Sequence, residues 1–338
     1  MSPRRLLPCL ALAAAAPGLA ACPAPACEPA WEVALDAPGG PLLAGWGRAA
    51  DDGWLVGGGL GQGGARIVRW SGQATDATAA LGVARPETLW WVWGSPGGTL
   101  WAVGEAGLVL RGPADGSAPL AVVAPPAPTV ATLYGVWGRG EDEVWIVGGV
   151  ADGLAGADDD LVLRWDGAAL ARVDLPARGA ALFKVWGPPD GDELWVSGEA
   201  GTLWRRVGDA WHDHALATAA SVLTVHGCAA DEVYAVGGRH VWTWQGAAWT
   251  EVEGLPGFAL AAGVACGDDE VLVVGAQGLR LRRDRASGRW HDDALAPFLA
   301  ADLHGAWAAP GGALLAVGGD WLLPAADRRG VVARRGCR

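Results

Sequence analysis

Val136-Trp137-Gly138, then Asp142-Glu143-Val144-Trp145-Ile146-Val147-Gly148-Gly149, then Leu161-Val162-Leu163-Arg164-Trp165-Asp166-Gly167 is the clearest copy of a pattern that fills most of the chain. The glycine ending its Trp-x-Val-Gly stretch recurs at 57, 104, 148, 198, 237, 275 and 318, at gaps of 47, 44, 50, 39, 38 and 43 residues. Three residues before these glycines stand Trp54, Trp101, Trp145, Trp195, Tyr234, Leu272 and Leu315. Eleven or twelve residues before them stand Trp46, Trp93, Trp137, Trp186, His226, Val264 and Trp307. Each unit holds three or four short apolar runs parted by Gly, Asp and Pro, which reads as strands and turns. The second run, such as Trp145-Ile146-Val147, is apolar on both faces, as a sheet packed between two others requires. Seven units of about 40–50 residues with up to four strands predict an all-β, seven-bladed propeller. The Trp columns then fill the wedges between blades, each ring burying about 150–250 Å².

The ends predict how the ring closes. Unit seven has strands near Leu303–Trp307, Ala313–Val317 and Gly330–Arg334 but lacks the fourth strand that Trp211, Trp249 and Trp290 introduce in units four to six. Trp31-Glu32-Val33-Ala34-Leu35 has that fourth-strand character. The N-terminal strand is therefore expected to complete the last blade and remove the open edges. Cys228 and Cys266 stand three residues before Asp231-Glu232 and Asp269-Glu270, at one position in adjacent units. Cys27 precedes the closing strand and Cys337 follows the strand it should pair with. Of three connectivities, Cys228–Cys266 with Cys27–Cys337 is expected.

The first 22 residues read as an export signal: Arg4 and Arg5, an apolar run from Leu6 to Ala16, then Leu19-Ala20-Ala21-Cys22. They resemble the lipobox of bacterial lipoproteins, in which the Cys is lipidated. That resemblance implies a signal peptide over 1–21 and a lipidated tether over 22–30, and the repeats place the propeller over 31–338. Pro23, where an Asp would retain the protein at the inner membrane, favours the outer membrane. The chain has 37 Asp plus Glu against 25 Lys plus Arg, a net charge of −12. Cleavage before Cys22 removes two Arg and no acid, so the mature charge is −12 − 2 = −14. This charge argues against nucleic acid as a partner, and 51% hydrophobic residues argue against disorder. Of the basic residues, 24 are Arg and only Lys184 is Lys.

The Gly148-Gly149, Gly237-Gly238 and Gly318-Gly319 ends, with third-strand turns such as Trp165-Asp166-Gly167 and Trp244-Gln245-Gly246, resemble kelch repeats. Glu105, Glu199 and Ala276 replace the second glycine in units two, four and six. The Val-Trp-Gly plus Asp-Glu-Val-Trp-x-Val-Gly pattern is also similar to repeat propellers of bacterial surface lipoproteins. Units five and six (Val241–Gly246, Trp249 to Pro256) resemble tectonin repeats, which implies sugar or lipopolysaccharide binding. These resemblances imply a binding platform and no particular chemistry.

Strand order assigns the loops. First-to-second and third-to-fourth turns share the face where the tether enters, together with the acidic turns Glu141–Glu143, Asp190–Glu193 and Asp268–Glu270. Second-to-third and blade-to-blade loops share the other, outward face. A candidate binding rim there comprises Glu105, Glu199, Arg239, His240, Gln277, Asp320 and Trp321, with Trp321 available for stacking. An insertion at 150–160 carries Asp152, Asp158, Asp159 and Asp160, carboxylates that could hold Ca²⁺; no other cofactor is expected. His212 and His214 alternate on a strand without a third ligand. No Gly-x-Ser-x-Gly elbow, phosphate-binding glycine loop or zinc-protease His-Glu-x-x-His occurs. The expected function is a monomeric, lipid-anchored envelope module that binds a protein or polysaccharide without catalysis. The alternatives are a tectonin-like lectin and a carbohydrate-active enzyme using rim carboxylates.

Overall fold

The structure, a computed structural model, describes residues 28–337 apart from 61–62, 152–159, 177–178, 258 and 296. Seven four-stranded antiparallel sheets are arranged as the blades of a propeller, each with its first strand innermost. Blade one runs from Leu42–Ala49 through Asp52–Gly58 and Ala65–Trp70 to Ala74–Asp76. The last blade combines Leu303–Ala308, Leu314–Gly318 and Arg329–Gly336 with the N-terminal strand Ala30–Pro38. That strand pairs from Ala30↔Gly336 to Pro38↔Arg329 and so joins the two ends of the chain in one sheet. Among the described residues no helix is long and apolar enough to cross a membrane.

The recurring glycine has a steric cause. Its Cα lies against the backbone that leads into the first strand of its own blade. A Cβ would meet a carbonyl oxygen at 2.0 Å on Gly57 (Pro41), 2.2 Å on Gly104 (Thr88), 1.8 Å on Gly237 (Ser221) and 1.9 Å on Gly318 (Asp302). No L side chain fits such a contact. The Trp-Gly dipeptides of the first strands have a different cause, which acts between blades. A Cβ on Gly94 would lie 2.2 Å from the Trp46 ring of the preceding blade, and one on Gly227 would lie 2.2 Å from Trp186. Each such Trp is a knob, and the glycine after the next blade's column residue is its hole.

The second-strand column packs between sheets: Trp54, Trp101, Trp145, Trp195 and Tyr234 are all at most 2% exposed. Four of these indoles face an arginine directly across the ladder, in the pairs Trp54↔Arg69, Trp101↔Arg111, Trp145↔Arg164 and Trp195↔Arg205. The guanidinium carbons lie 4.9–5.5 Å from the ring centres, within cation–π range. Edge contacts then cross from blade to blade, Trp101 to Trp165 at 5.4 Å and Trp195 to Trp244 at 5.1 Å.

The acidic turns divide their labour. Asp142, Asp190, Asp192, Asp268 and Asp269 are exposed. Glu143 and Glu193 pair within their own blades, with Arg139 at 2.5 Å and Arg205 at 2.7 Å, while other turn glutamates bind across blades. Glu141 accepts from Ser95 and Thr99, Glu232 pairs with Arg285 at 2.6 Å, and Glu270 pairs with Arg335 at 2.5 Å. Burial alone would raise the Glu232 carboxyl, yet its bonds from Arg285 and Tyr234 bring it below its usual value. The turns thus expose their aspartates while several of their glutamates tie one blade to the next.

Cys228 and Cys266, on the first strands of blades five and six, form a disulfide. Cys337 is disulfide-bonded, and Cys22 and Cys27 lie outside the described residues. The Cys228–Cys266 bridge spans 38 residues. Replacing both cysteines by Ser is expected to cost about 2–4 kcal/mol through the freed unfolded chain. Urea unfolding of the double variant checks this, and an unchanged midpoint would count against it.

Candidate functional site

The channel mouth on the face of the second-to-third and blade-to-blade loops is built by one repeated irregularity. In the first strands the register slips between Leu42 and Ala44, Leu89 and Trp91, Leu133 and Gly135, Leu182 and Lys184, Ala261 and Gly263, and Leu303 and Gly305. The residue before each slip is buried in the blade. The skipped residue is a β-bulge, which re-aims a side chain out of the sheet's alternation. The skipped residues are Leu43, Trp90, Tyr134, Phe183, Ala262 and His304, and Leu223 stands at the matching place in blade five. All seven line one cavity of about 230 Å³ at the mouth.

Trp321 reaches into this ring from the second-to-third loop of the last blade. It stacks on His304 with centroids 4.4 Å apart and planes at 20°, and it approaches Trp90 at 5.8 Å. Trp90 meets Tyr134 edge-on at 5.0 Å, and Tyr134 meets Phe183 at 5.3 Å. Phe183, Tyr134, Trp90, Trp321 and His304 thus form a continuous aromatic arc, with Leu43, Leu223 and Ala262 completing the wall. Burial depresses the His304 imidazole pKa, which the Gly319 carbonyl at 2.8 Å and the nearby Asp302 and Asp320 only partly offset.

Lys184 forms the floor. It also borders a second cavity of about 260 Å³ beneath, whose lining includes Trp46, Trp93, Trp137, Trp186 and Trp307. The Lys184 Nζ donates to the carbonyls of Tyr134 at 2.8 Å and Phe183 at 3.2 Å, and lies 4.1 Å from the centre of the Trp91 ring. Burial pushes the Lys184 ammonium down to about 7. The same cause takes His226, on the lower wall, down to about 4.

Of the rim residues expected from sequence, Trp321 alone lines the mouth cavity. Glu105 and Glu199 spend their carboxylates on backbone, accepting from the Thr88 N–H at 2.7 Å and the Ala181 N–H at 2.9 Å. Asp320 does the same for the Asp302 N–H at 2.8 Å. Each acid follows the second-strand glycine and fixes the segment entering that blade's first strand, so it serves the fold. Gln277 has φ +55 inside a single 3₁₀ turn, its N–H bonded to Asp302 at 2.9 Å. His240 pairs with Glu251 at 2.6 Å and stacks on Trp242 at 5.0 Å, and Arg239 sits in the turn before it. Asp152, Asp158 and Asp159 lie outside the described residues. Asp160 is 5% exposed, with Arg172 3.6 Å from its carboxylate. Among the described residues no group of three His, Cys, Asp or Glu is placed to hold a metal. His214 packs edge-on against Trp195 and Trp244.

Sequence reading missed Trp90, Tyr134, Phe183, His304 and Lys184. The signal was present: aligning the first strands as Leu-x-x-Val-Trp exposes the bulge column, and Lys184 is the chain's one lysine. The loops around the mouth carry a further signal. Val130, Leu260, Leu295, Phe298, Leu322 and Leu323 are exposed apolar residues, and all six lie in blade-to-blade or second-to-third loops. Only Val33 and Val122, on outermost strands, share that exposure elsewhere among the described residues. Apolar exposure concentrated on one face marks an interaction surface.

No protein-family model matches the chain, and no curated protein matches it in sequence. Solved structures do resemble it. YCF48 from Cyanidioschyzon merolae superposes with a TM-score of 0.65 at 14% identity, over 90% of this chain and 98% of that one. A structure of YCF48 bound to D1 peptide gives 0.67 at 16% identity, covering 94% and 100%. The RRP9 WD40 repeats give 0.69 at 14%, covering 92% and 99%. At such identities the likeness shows the fold, a WD40-like seven-bladed propeller. The kelch-like and tectonin-like likenesses rest on the residues quoted for them.

Proposed function

We propose that the protein is a non-catalytic binding module, lipid-anchored in the cell envelope through Cys22, that holds a protein partner at its channel mouth. One observation carries the reading: the aromatic arc and the exposed apolar loop residues fall on the same face. Aromatic anchors surrounded by apolar contacts are the usual composition of a protein-binding hot spot. The YCF48 structure with D1 peptide supports the reading by showing that this architecture can hold a peptide. The lipobox-like order of Arg4, Arg5, the apolar run and Cys22 supports the anchor, and Pro23 supports the outer membrane. Trp321 also supports a glycan reading, but the walls around it offer few polar groups for sugar hydroxyls. Neither cavity is lined by an Asp or Glu, so an enzyme reading has no acid pair there to act with.

The test is capture from envelope extract with the full chain and with Trp321→Ala carrying Leu322→Ser. Loss of a hot-spot ring weakens a partner by about 30-fold. Equal recovery of every captured protein by both forms would remove the mouth from the proposal.

A further inference from the structure

We propose that the mouth cavity is a binding site for the carboxylate end of an apolar ligand, with the aromatic arc taking the apolar body and Lys184 taking the carboxylate. The inference rests on the binding-module reading only for where such a ligand comes from.

Lys184 occupies the first-strand position that holds Ala44, Trp91, Gly135, Thr224, Gly263 and Gly305 in the other blades. An ammonium carries three donors. Two are directed at the Tyr134 and Phe183 carbonyls, Nζ lies 4.1 Å from the centre of the Trp91 ring, and the third donor is the one a carboxylate would take. No Asp or Glu lines the cavity above or the one below. A half-buried cation without an anion carries a desolvation cost, and the cost is relieved when an anion arrives. The walls above Lys184 are largely apolar, which lowers the local dielectric and strengthens such a pair. At about 230 Å³ the cavity is smaller than a drug-sized pocket of about 300–1,000 Å³. It suits one aromatic or branched group with its terminal carboxylate and is too small for an oligosaccharide. The net charge of −12 gives anions no other reason to gather on the protein.

The chemistry sets a pH signature. The titratable groups facing Lys184 are His304 above and His226 below, whose imidazoles burial holds below their usual value, and the Tyr134 phenol; Cys266 is disulfide-bonded. Lys184, with its ammonium at about 7, changes charge within the range that the titration covers. A bound carboxylate raises that value. Below the free value the amine is already charged, and affinity is flat. Above it each binding event must take up a proton, so affinity falls tenfold per pH unit until the raised value is reached.

The test is calorimetric titration of the full chain with three probes: a short peptide ending in Phe with a free carboxylate, the same peptide as its C-terminal amide, and 3-phenylpropionate. From about pH 6 to about pH 8.5 the free-acid peptide should weaken about 30-fold while the amide binds weakly and evenly. Lys184→Met should abolish binding of the acid. Lys184→Arg should keep it without the pH dependence, because guanidinium does not deprotonate. If both acids bind with this profile, the site accepts free small acids and chain ends alike. If only the peptide does, it reads chain ends. An amide that binds as tightly as the acid, a flat profile for the wild type, or no binding by either acid would overturn the assignment. None of these results alters the capture experiment, which tests the face and not the lysine.

Discussion

Gly237→Ala destabilises the propeller by at least about 3 kcal/mol, at or above the upper end for overpacked sites. The new Cβ would sit 1.8 Å from the Ser221 oxygen, 2.9 Å from the Ser221 carbonyl carbon and 3.1 Å from the Val222 Cα. All three are backbone atoms, so no rotamer change opens the space; the chain entering the first strand of blade five must move. That segment is tied by the Val222 N–H to the Gly198 carbonyl of blade four at 2.9 Å, so the displacement reaches the neighbouring sheet. Gly140→Ala is the control, since its Cβ would meet only a carboxylate oxygen at 3.6 Å. Both substitutions reduce the freedom of the unfolded chain alike, by about 0.4–1 kcal/mol. Their difference in urea unfolding therefore isolates the clash. Equal midpoints for the two variants would refute the steric account of the glycine column.

Trp195→Ala is expected to cost about 3–5 kcal/mol, the range for emptying a large buried site. Trp195 is 0% exposed and meets His214, Trp244 and Trp249 edge-on at 5.1–5.2 Å. Truncation removes three ring contacts and the surface over which Arg205 lies. Arg205 would keep its 2.7 Å pair with Glu193, so the ladder should hold while the wedge between blades four and five empties. Trp195→Phe should lose less than half as much. It keeps much of the volume and removes an indole N–H that is buried without a hydrogen-bond partner. Calorimetry of the three proteins checks this, and equal losses for Ala and Phe would contradict it. The Leu residues at 272 and 315 in the same column show that the column needs apolar volume; Trp is one way of supplying it.

Much of the fold is legible in the chain because a propeller writes its geometry seven times. The glycine at 57, 104, 148, 198, 237, 275 and 318 marks where backbone crosses backbone, and only glycine permits that. The first-strand Trp and the glycine after it mark a knob and hole between blades. The missing fourth strand of the last unit, beside the strand-like Trp31–Leu35, shows how the ring closes. The matching positions of Cys228 and Cys266 put them on adjacent inner strands.

The site is less legible, for a reason that lies in the bulges. A register slip changes which face a residue occupies, and strand alternation read from sequence cannot show it. Trp90, Tyr134, Phe183 and His304 thus look like ordinary members of buried strands, while the bulge brings them to the channel mouth. Glu105, Glu199 and Asp320 look like available rim acids, but the backbone N–H groups that occupy them come from segments about 17–18 residues earlier. Lys184 is conspicuous by composition alone, yet its meaning depends on ring closure, which sets it between two cavities with no carboxylate on their walls. The sequence by itself determined the architecture, because local steric rules repeated at a fixed spacing admit few solutions. Only the tertiary structure decided the mouth, because it is made by one residue from each of seven distant strands, brought together when the ring closes.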